Sequence, residues 1–494
     1  MKNNLRNVRT GNCLKARAAR GSLWLGLAGG GEHGLRLIRN MILTRILAPE
    51  AFGLMAIILA INTAFESFTE IGIKQAIIQN PKGRDSEYLN GAWWLSFGRA
   101  LVLYAVAFFS APWIADFYGN QELVLLMRVA FLGILLKGAM SSQAYVAVKD
   151  MRFAHWTAIN HGGGVIGIVT AVGLAFILQN VWALVIGFTV ESAAKFLLSY
   201  VICHFRPGFA FKKNHLQALF QYARGMFGLP ILVFIFTRAD IFVIGKLCSK
   251  YDLGLYSMAV ALAWAPLQLI GAIFNEIAMP AFSEMQEEKD YMSASIMKAI
   301  AVMALGGMPI LFFVSLFGKD VLAIIYGYEY AAVSIPFAII FCSELIRTIS
   351  LPFASLFLAV GHPEMHRYFT GVRALLILIL IYPAVKYFGF TGAAVASLVA
   401  MVLSFALQVN RVSLLIDFNV VQFSKIIGTS IAISFPVVAT WLVTPNSLAT
   451  NTAVSMSSGI LGCCLSYGLA GWIFFKSLGG LSSRKAYNPQ VEVK

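Results

Sequence analysis

Long apolar runs separated by short polar links fill this chain from about residue 20 to about residue 476. LYAVAFFSAPWI (103–114) and ALLILILIYPAV (374–385) lie in two of them. A helix needs about 20 such residues to cross a bilayer, and a membrane barrel would show alternating polar and apolar positions instead. The pattern predicts an all-α polytopic membrane protein. Windows bounded by charges or turn residues predict about fourteen transmembrane helices. They cover 20–47, 52–78, 88–114, 121–147, 156–178, 181–203, 220–247, 253–281, 293–318, 331–359, 366–385, 391–414, 423–444 and 453–475.

Composition sharpens this reading. Of the 494 residues, 59% are hydrophobic and 12% charged, whereas a soluble domain carries about 25% charged residues. The net charge of +15 is spread along the chain rather than gathered on a soluble unit, so nucleic acid is not expected as a partner. Lys2, Arg6, Arg9, Lys15, Arg17 and Arg20 crowd the start. Alternate links are then rich in Lys and Arg (Lys82 and Arg84, Lys149 and Arg152, Arg206 with Lys212 and Lys213, Lys289, Arg367, Lys425). The other links hold Lys250, Lys319 and Lys386. By the positive-inside rule the first set is cytoplasmic, which puts both termini of a multi-pass protein on the cytoplasmic side. The basic start followed by LWLGLAGGG resembles a signal peptide. No small-residue cleavage site follows it, so the segment is expected to be retained. The six cysteines form no CxxC or metal-ligand spacing, and neither metal nor cofactor is expected.

The chain repeats itself. A shift of 201 residues lays RILAPEAFGLMAIILA (45–60) on KLCSKYDLGLYSMAVA (246–261) without a gap, pairing Arg45 with Lys246 and Gly53 with Gly254. Weaker echoes in the same order pair AVKDMRF (147–153) with AVGHPEMHRYF (359–369), and WALV (182–185) with GAAV (392–395). The shift equals six spans plus a central link. The expected organisation is therefore a cytoplasmic basic tail (1–19) and an N-terminal six-helix bundle (20–204). A cytoplasmic link (205–219) leads to a second six-helix bundle (220–415), two additional helices (416–476) and a cytoplasmic tail (477–494). Two repeats with a site between them is a common build of secondary transporters.

Charges inside the spans need a purpose. Arg36, Arg39, Arg99, Arg128 and Lys137 all fall within the first four expected helices. Each costs about 2.5–3.5 kcal/mol at a helix centre, so five facing lipid would cost roughly 12–17 kcal/mol, comparable with a domain's whole stability. They require acidic partners, a wet cavity or an anionic cargo. Glu66, Glu70 and Lys74 stand four apart on one stripe. That spacing pairs Glu70 with Lys74 and leaves Glu66 for Arg36. Glu191 with Lys195, and Glu344 with Arg347, form local pairs, and the N-terminal bundle still keeps a surplus of cations. Arg36 and Arg39 share a helix face, while Arg45 is turned about 180° from Arg36 and lies near the outer end.

For Arg45, Arg128 and Lys137, snorkelling or carbonyl contacts weigh as much as a place in a cavity. Arg238 with Asp240 is equally readable as a structural link in the second bundle. The expected cationic lumen draws on Arg36, Arg39, Arg99, Arg128, Arg238 and Arg347. Glu66, Glu70 and Asp240 are candidates for coupling to an ion such as a proton. GGGEHG (29–34) and GGGVIG (162–167) satisfy GxGxxG but follow no strand, so close helix packing explains them better than a nucleotide. His33 and His161 read as hydrogen-bonded structural residues. Pro230, Pro266, Pro309, Pro336, Pro352 and Pro383 predict kinked helices. No catalytic constellation is present, and the chain is not expected to be an enzyme.

RILAPEAFGLMA (45–56) followed by FTEIGIKQAIIQNP (68–81), with Gly72, Gln75 and Gln79, resembles the polysaccharide transport family. That family belongs to the multidrug/oligosaccharidyl-lipid/polysaccharide exporter superfamily. LAVGHPEMHR (358–367) is similar to a second family stretch, with His362 in place of the usual basic residue. The likeness spans roughly residues 20–440 and is strongest to the colanic-acid and teichuronic-acid exporter group. It implies a flippase moving undecaprenyl-pyrophosphate-linked repeat units for exopolysaccharide, capsule or lipopolysaccharide synthesis. It also implies two six-helix bundles around a cationic lumen, with Arg45, Gly53 and Gly254 in a structural turn motif. Expected partners are the lipid-linked oligosaccharide, membrane lipids and other polysaccharide assembly proteins, with the chain itself a monomer. The rival reading is a cation-coupled multidrug exporter of the same superfamily, whose lumen would hold acids and aromatics. A membrane glycosyl polymerase would need a large outer loop, and links such as 114–121 and 445–452 are too short for one.

Overall fold

The computed structural model describes residues 31, 34–68, 72–209, 228–284, 289–415, 418–444 and 452–481, and every regular element among them is helical. The first helix, α1, covers 34–43. It is followed by α2 (Pro49–Phe68), α3 (Ile73–Gln79), α4 (Ser86–Tyr118), α5 (Glu122–Ala130), α6 (Leu132–Gly138), α7 (Gln143–Lys149), α8 (Phe153–Leu178) and α9 (Trp182–Ile202). After the central link come α10 (Leu229–Leu247), α11 (Lys250–Glu284), α12 (Lys289–Ile325), α13 (Ser334–Ile349), α14 (Leu351–Ala359) and α15 (Pro363–Leu415). The chain then forms α16 (Val420–Ile433), α17 (Phe435–Val443) and α18 (Thr452–Leu481). A 3-10 turn, Tyr328–Val333, joins α12 to α13.

The chain is an integral membrane protein. Nine helices among the described residues are long and apolar enough to cross a bilayer, or ten if the bent segment 122–149 counts as one span. That measure falls five short of the expected fourteen; α11 is not among the counted helices, and the other four have identifiable reasons. Nearly half of the first expected span lies outside the described residues. Helix α10 is apolar but carries three charges, Arg238, Asp240 and Lys246, which sets it apart from the counted spans. Helix α15 contains two expected spans, broken at Gly389, whose φ of 58° and ψ of −145° leave the helical region. The segment 122–149 bends by 60° between Gly138 and Gln143. There the Ser141 amide donates to Ser199 Oγ at 3.0 Å and the Ser141 hydroxyl donates to the Cys203 carbonyl at 2.9 Å. These side-chain bonds to α9 and its C-terminal neighbour replace ladder bonds at the break.

Prolines act in two ways. Pro309 and Pro383 lie inside helices, as does the unforeseen Pro112. Pro230 and Pro352 instead occupy the first turns of α10 and α14, where the missing N–H costs nothing. One large buried cluster runs through α2, α4, α5, α9 and the C-terminal helices α10–α15.

The two copies of the sequence repeat meet each other. A Cβ added at Gly53 would fall within 3.0 Å of the Lys250 carbonyl oxygen and 3.1 Å from the Gly254 nitrogen. A Cβ added at Gly254 would fall within 3.0 Å of the Pro49 carbonyl oxygen and 3.2 Å from the Gly53 nitrogen. Pro49 and Lys250 are themselves 201 apart, as Gly53 and Gly254 are. The contact is reciprocal: residue i meets j′ and j meets i′, the mark of a two-fold relation. Helices α2 and α11 can cross this closely only because both positions lack a side chain. This crossing defines one end of the helix array.

Candidate functional site: a cationic lumen

A cavity of about 830 Å³ lies between the N-terminal helices and α10–α11, within the size range of small-molecule sites. At the crossing end it is lined by Phe52 and Tyr326, both buried. Toward the other end it is lined by Gln75 and Lys137, both exposed. Its wall holds seven cations, Arg36, Arg39, Lys74, Arg99, Lys137, Lys195 and Arg238, against two carboxylates, Glu66 and Glu191. Among the described residues the lining therefore carries five more positive charges than negative.

Helix packing sets the geometry of the central cluster. Gly163 and Gly167 on α8 face α9, and a Cβ at either would come within 3.0 Å of the Lys195 or Glu191 side chain. GGGVIG is thus a packing surface that seats Glu191 and Lys195. Glu191 is 7% exposed and accepts from Arg36 Nη2 at 3.2 Å and from Lys195 Nζ at 2.6 Å. Arg39, one turn along α1, donates through Nε and Nη2 to the neutral Asn40 Oδ1 at 3.1 and 3.0 Å. Glu66 accepts from Lys137 Nζ at 2.7 Å. Lys74 sits 4.5 Å from the Trp156 ring centre and Arg238 5.3 Å from that of Trp264. Ring faces attract cations without cancelling their charge. Among the described residues Arg39, Lys74 and Arg238 make no direct salt bridge to a carboxylate, so an anion in the lumen would meet cations that no close ion pair neutralises.

The structure rearranges several expected pairings. Glu66 does not serve Arg36: it takes Lys137, while Arg36 reaches across to α9. Lys137 therefore lines the lumen as half of an ion pair. Arg128 does not enter the cavity, because its guanidinium lies 4.2 Å over the Phe108 ring of α4. Arg347 is also outside it and donates Nε to Glu344 at 2.6 Å. Glu70 and His33 lie outside the described residues, so the Glu70–Lys74 pairing has no place here. His161 lines a small recess behind Arg36 and Arg39. Arg36, Arg39, Arg99, Arg238 and Glu66 do come together. Lys74, Lys195 and the hub role of Glu191 were not foreseen. The i,i+4 spacing of Glu191 and Lys195 marks them as a pair, not as members of a larger network.

Asp240 belongs to a different chamber. Two residues along α10 from Arg238, it points away from the lumen and accepts from the Tyr256 hydroxyl at 2.8 Å. It shares a recess of about 40 Å³ with Glu344, Arg347 and Arg373. Arg373 stacks 3.3 Å from the Phe236 ring centre and points Nη1 at the Met401 sulfur. Two carboxylates face two guanidiniums, so this chamber is formally balanced where the lumen is not. Val260 and Trp264 stand between the two spaces and line both. Arg45, Gly53 and Gly254 lie at the crossing end, remote from the lumen's exposed mouth.

The sequence profile of a family described as "Polysaccharide biosynthesis protein" matches residues 42–335, more than half of the chain. The chain belongs to this polysaccharide biosynthesis family. One relative is the succinoglycan biosynthesis transport protein ExoT of Rhizobium meliloti, 24% identical over 379 residues, or 76% of this chain and 75% of that one. Another is the lipopolysaccharide biosynthesis protein WzxC of Escherichia coli, 22% identical over 79% of this chain and 80% of that one. Among solved structures, the fold matches the lipid II flippase MurJ in an inward closed conformation. The TM-score is 0.75 at 14% identity, covering 92% of this chain and 99% of MurJ. An inward-facing multidrug resistance transporter of the MOP superfamily also matches, at a TM-score of 0.62 and 14% identity over 81% of this chain and 98% of that one. The polysaccharide biosynthesis family thus shares its helical framework with proteins of quite different cargo, and the lumen has to distinguish them.

Proposed function

We propose that the chain is a flippase, not an enzyme, carrying a polyprenyl-pyrophosphate-linked oligosaccharide across the cell inner membrane by alternating access, for surface polysaccharide synthesis. The observation that carries this reading is that, among the described residues, the lumen wall carries five more cations than carboxylates. A surplus of cations inside a membrane protein is costly unless the site meets an anion or water, and a pyrophosphate head group supplies about two negative charges. A cation-coupled drug exporter needs the opposite polarity. The names of ExoT and WzxC, which speak of transport and of polysaccharide biosynthesis, agree with the reading.

In this scheme the two sequence repeats are the two moving bodies, with 20–204 and 220–415 as the bundles and 416–476 as added helices. Both termini are cytoplasmic, so the crossing end faces outward and the mouth at Gln75 and Lys137 faces the cytoplasm. Arg36, Arg39, Lys195 and Arg238 replace water around the head group, while the prenyl tail stays in lipid. An almost wholly apolar groove of about 560 Å³, including Phe65, Trp113 and Phe242, backs the lumen wall on the other face of α2. The membrane potential, negative inside, favours outward passage by roughly 2.3 kcal/mol per charge per 100 mV.

Deleting the gene should trap lipid-linked intermediates on the cytoplasmic leaflet, and the wild-type chain should release them. The double substitution Arg36→Ala with Arg39→Ala should leave protein levels intact and abolish that release. Wild-type polymer from the double variant, or altered dye efflux with unchanged polymer on deletion, would refute the assignment.

A further inference from the structure

We propose that Arg45 and Lys246 are a matched pair of latches, each gripping the last turn of a long helix in the opposite repeat and together holding the crossing end shut. Arg45 Nη2 donates to the Ala323 carbonyl at 3.2 Å and to the Ile324 carbonyl at 2.7 Å. Those residues occupy the final turn of α12, which ends at Ile325. Lys246 Nζ donates to the Phe117 carbonyl and sits 4.5 Å from the Phe117 ring centre. Phe117 occupies the final turn of α4, which ends at Tyr118. The last carbonyls of a helix have no partner within it and carry the negative end of the macrodipole; of the three held here, Ala323 also accepts from the Gly327 amide at 3.0 Å. A cation placed there from another element is a charged cap.

The register makes this more than ordinary capping. Arg45 and Lys246 differ by 201 positions, the same shift that relates Pro49 to Lys250 and Gly53 to Gly254. The helix ends they hold, Tyr118 and Ile325, differ by 207, and the later echoes of the repeat lie at still larger shifts. An N-terminal cation therefore holds a C-terminal helix, and the equivalent C-terminal cation holds the equivalent N-terminal helix. The glycine crossing lies in the same register, with Ile57 and Tyr118 packed against Gly245 beside the Lys246 latch.

All these contacts join the two repeats, so the crossing end cannot part without breaking both latches. At the opposite end the described contact between α2 and α10 is apolar, Phe68 against Phe234 with ring centres 6.0 Å apart. Polar latches at one end and ring packing at the other bias the resting chain toward closure at the crossing. Because the freed carbonyls at helix ends can be taken over by water, the latch is reversible.

The inference rests on the alternating-access reading, but its test needs no cargo. Spin labels at Glu122 and Tyr328, both exposed at the crossing end, report the gap between the repeats. The measurement is pulsed electron resonance on the full chain in nanodiscs, in a cysteine-free background. Arg45→Ala or Lys246→Ala should each raise the open-to-closed ratio about tenfold, as expected for losing a charged hydrogen bond. The pair together should raise it about a hundredfold, because the two latches are separate contacts. The charge-keeping exchange Arg45→Lys with Lys246→Arg should retain the closed distribution. If the alanine pair fails to accumulate, glutamine at both positions is read in the same way. An unchanged distribution in the double variant overturns the latch and leaves the cargo assignment untouched. A response to one single variant but not the other overturns the two-fold pairing.

Discussion

Gly53→Ala and Gly254→Ala test whether the repeats truly meet at one point. Helix propensity by itself gives these changes a stabilising sign, about 0.5–1 kcal/mol for Gly to Ala inside a helix. The crossing reverses it. The new methyl at Gly53 would lie within 3.0 Å of the Lys250 carbonyl and that at Gly254 within 3.0 Å of the Pro49 carbonyl. Both neighbours are backbone, so no rotamer change relieves the clash. Restoring an ordinary carbon–oxygen separation of about 3.3–3.6 Å moves α2 away from α11 by on the order of 1 Å. A gap of that size forfeits a quarter to a half of the dispersion energy across the contact, including that of the buried Phe52, Leu54, Leu253 and Leu255. Overpacking of this kind costs about 1–3 kcal/mol. Each single variant should therefore unfold at lower temperature in nanodiscs. One separation relieves both clashes, so the double variant should lose clearly less than the two losses added together. Unchanged or raised unfolding midpoints, or a double variant whose loss is the full sum, would refute the crossing as drawn.

Two further outcomes follow from the lumen. Glu191→Gln keeps the shape of the hub but removes the shared charge, so Arg36 and Lys195 repel and the lumen surplus rises from five to six. Breaking such a part-buried network should lower the unfolding midpoint by an amount equivalent to about 1–3 kcal/mol while increasing the thermal protection given by added pyrophosphate. Gly167→Val should wedge α8 from α9 and scatter Arg36 from Glu191, with loss of folded protein in detergent size-exclusion profiles. Gly164→Val, where nothing lies within 4 Å of an added Cβ, should elute as wild type.

The helical membrane architecture was legible because it depends on runs of apolar residues, which a sequence displays directly. The repeat was legible differently, from matched positions such as Gly53 with Gly254, and the 201-residue shift names residues that touch. Side-chain pairing was not. Glu66 and Glu191 are each reachable by a cation on a neighbouring span, and sequence spacing ranks only partners on the same helix. Glu191 with Lys195 and Glu344 with Arg347 were accordingly found, whereas Arg36 with Glu191 required knowing that α1 lies against α9. Arg128 shows the complementary failure. An arginine can be accommodated within a membrane helix by an aromatic face, so its presence there does not by itself mark a cavity. Arg45 was readable as a motif residue, yet its work depends on the end of a helix almost 280 residues away.

The backbone relation between the repeats does not extend to their chemistry, and this asymmetry constrains the mechanism. Among the described residues, six of the seven lumen cations come from α1–α9 and one, Arg238, comes from the second repeat. The second repeat keeps Asp240, Glu344, Arg347 and Arg373 in a balanced recess behind Trp264. An anionic head group would therefore be held mainly by one body throughout the cycle. Opening one end or the other would change which solvent that body faces, without moving the anion from one set of cations to another. Transfer between two matched sites would need comparable charge on both repeats, and the lumen does not provide it. In the proposed cycle, a rocking wall around a site fixed to the N-terminal helices is the simpler scheme, and Arg238 and Trp264 would form the moving side that releases the cargo when the proposed latches part.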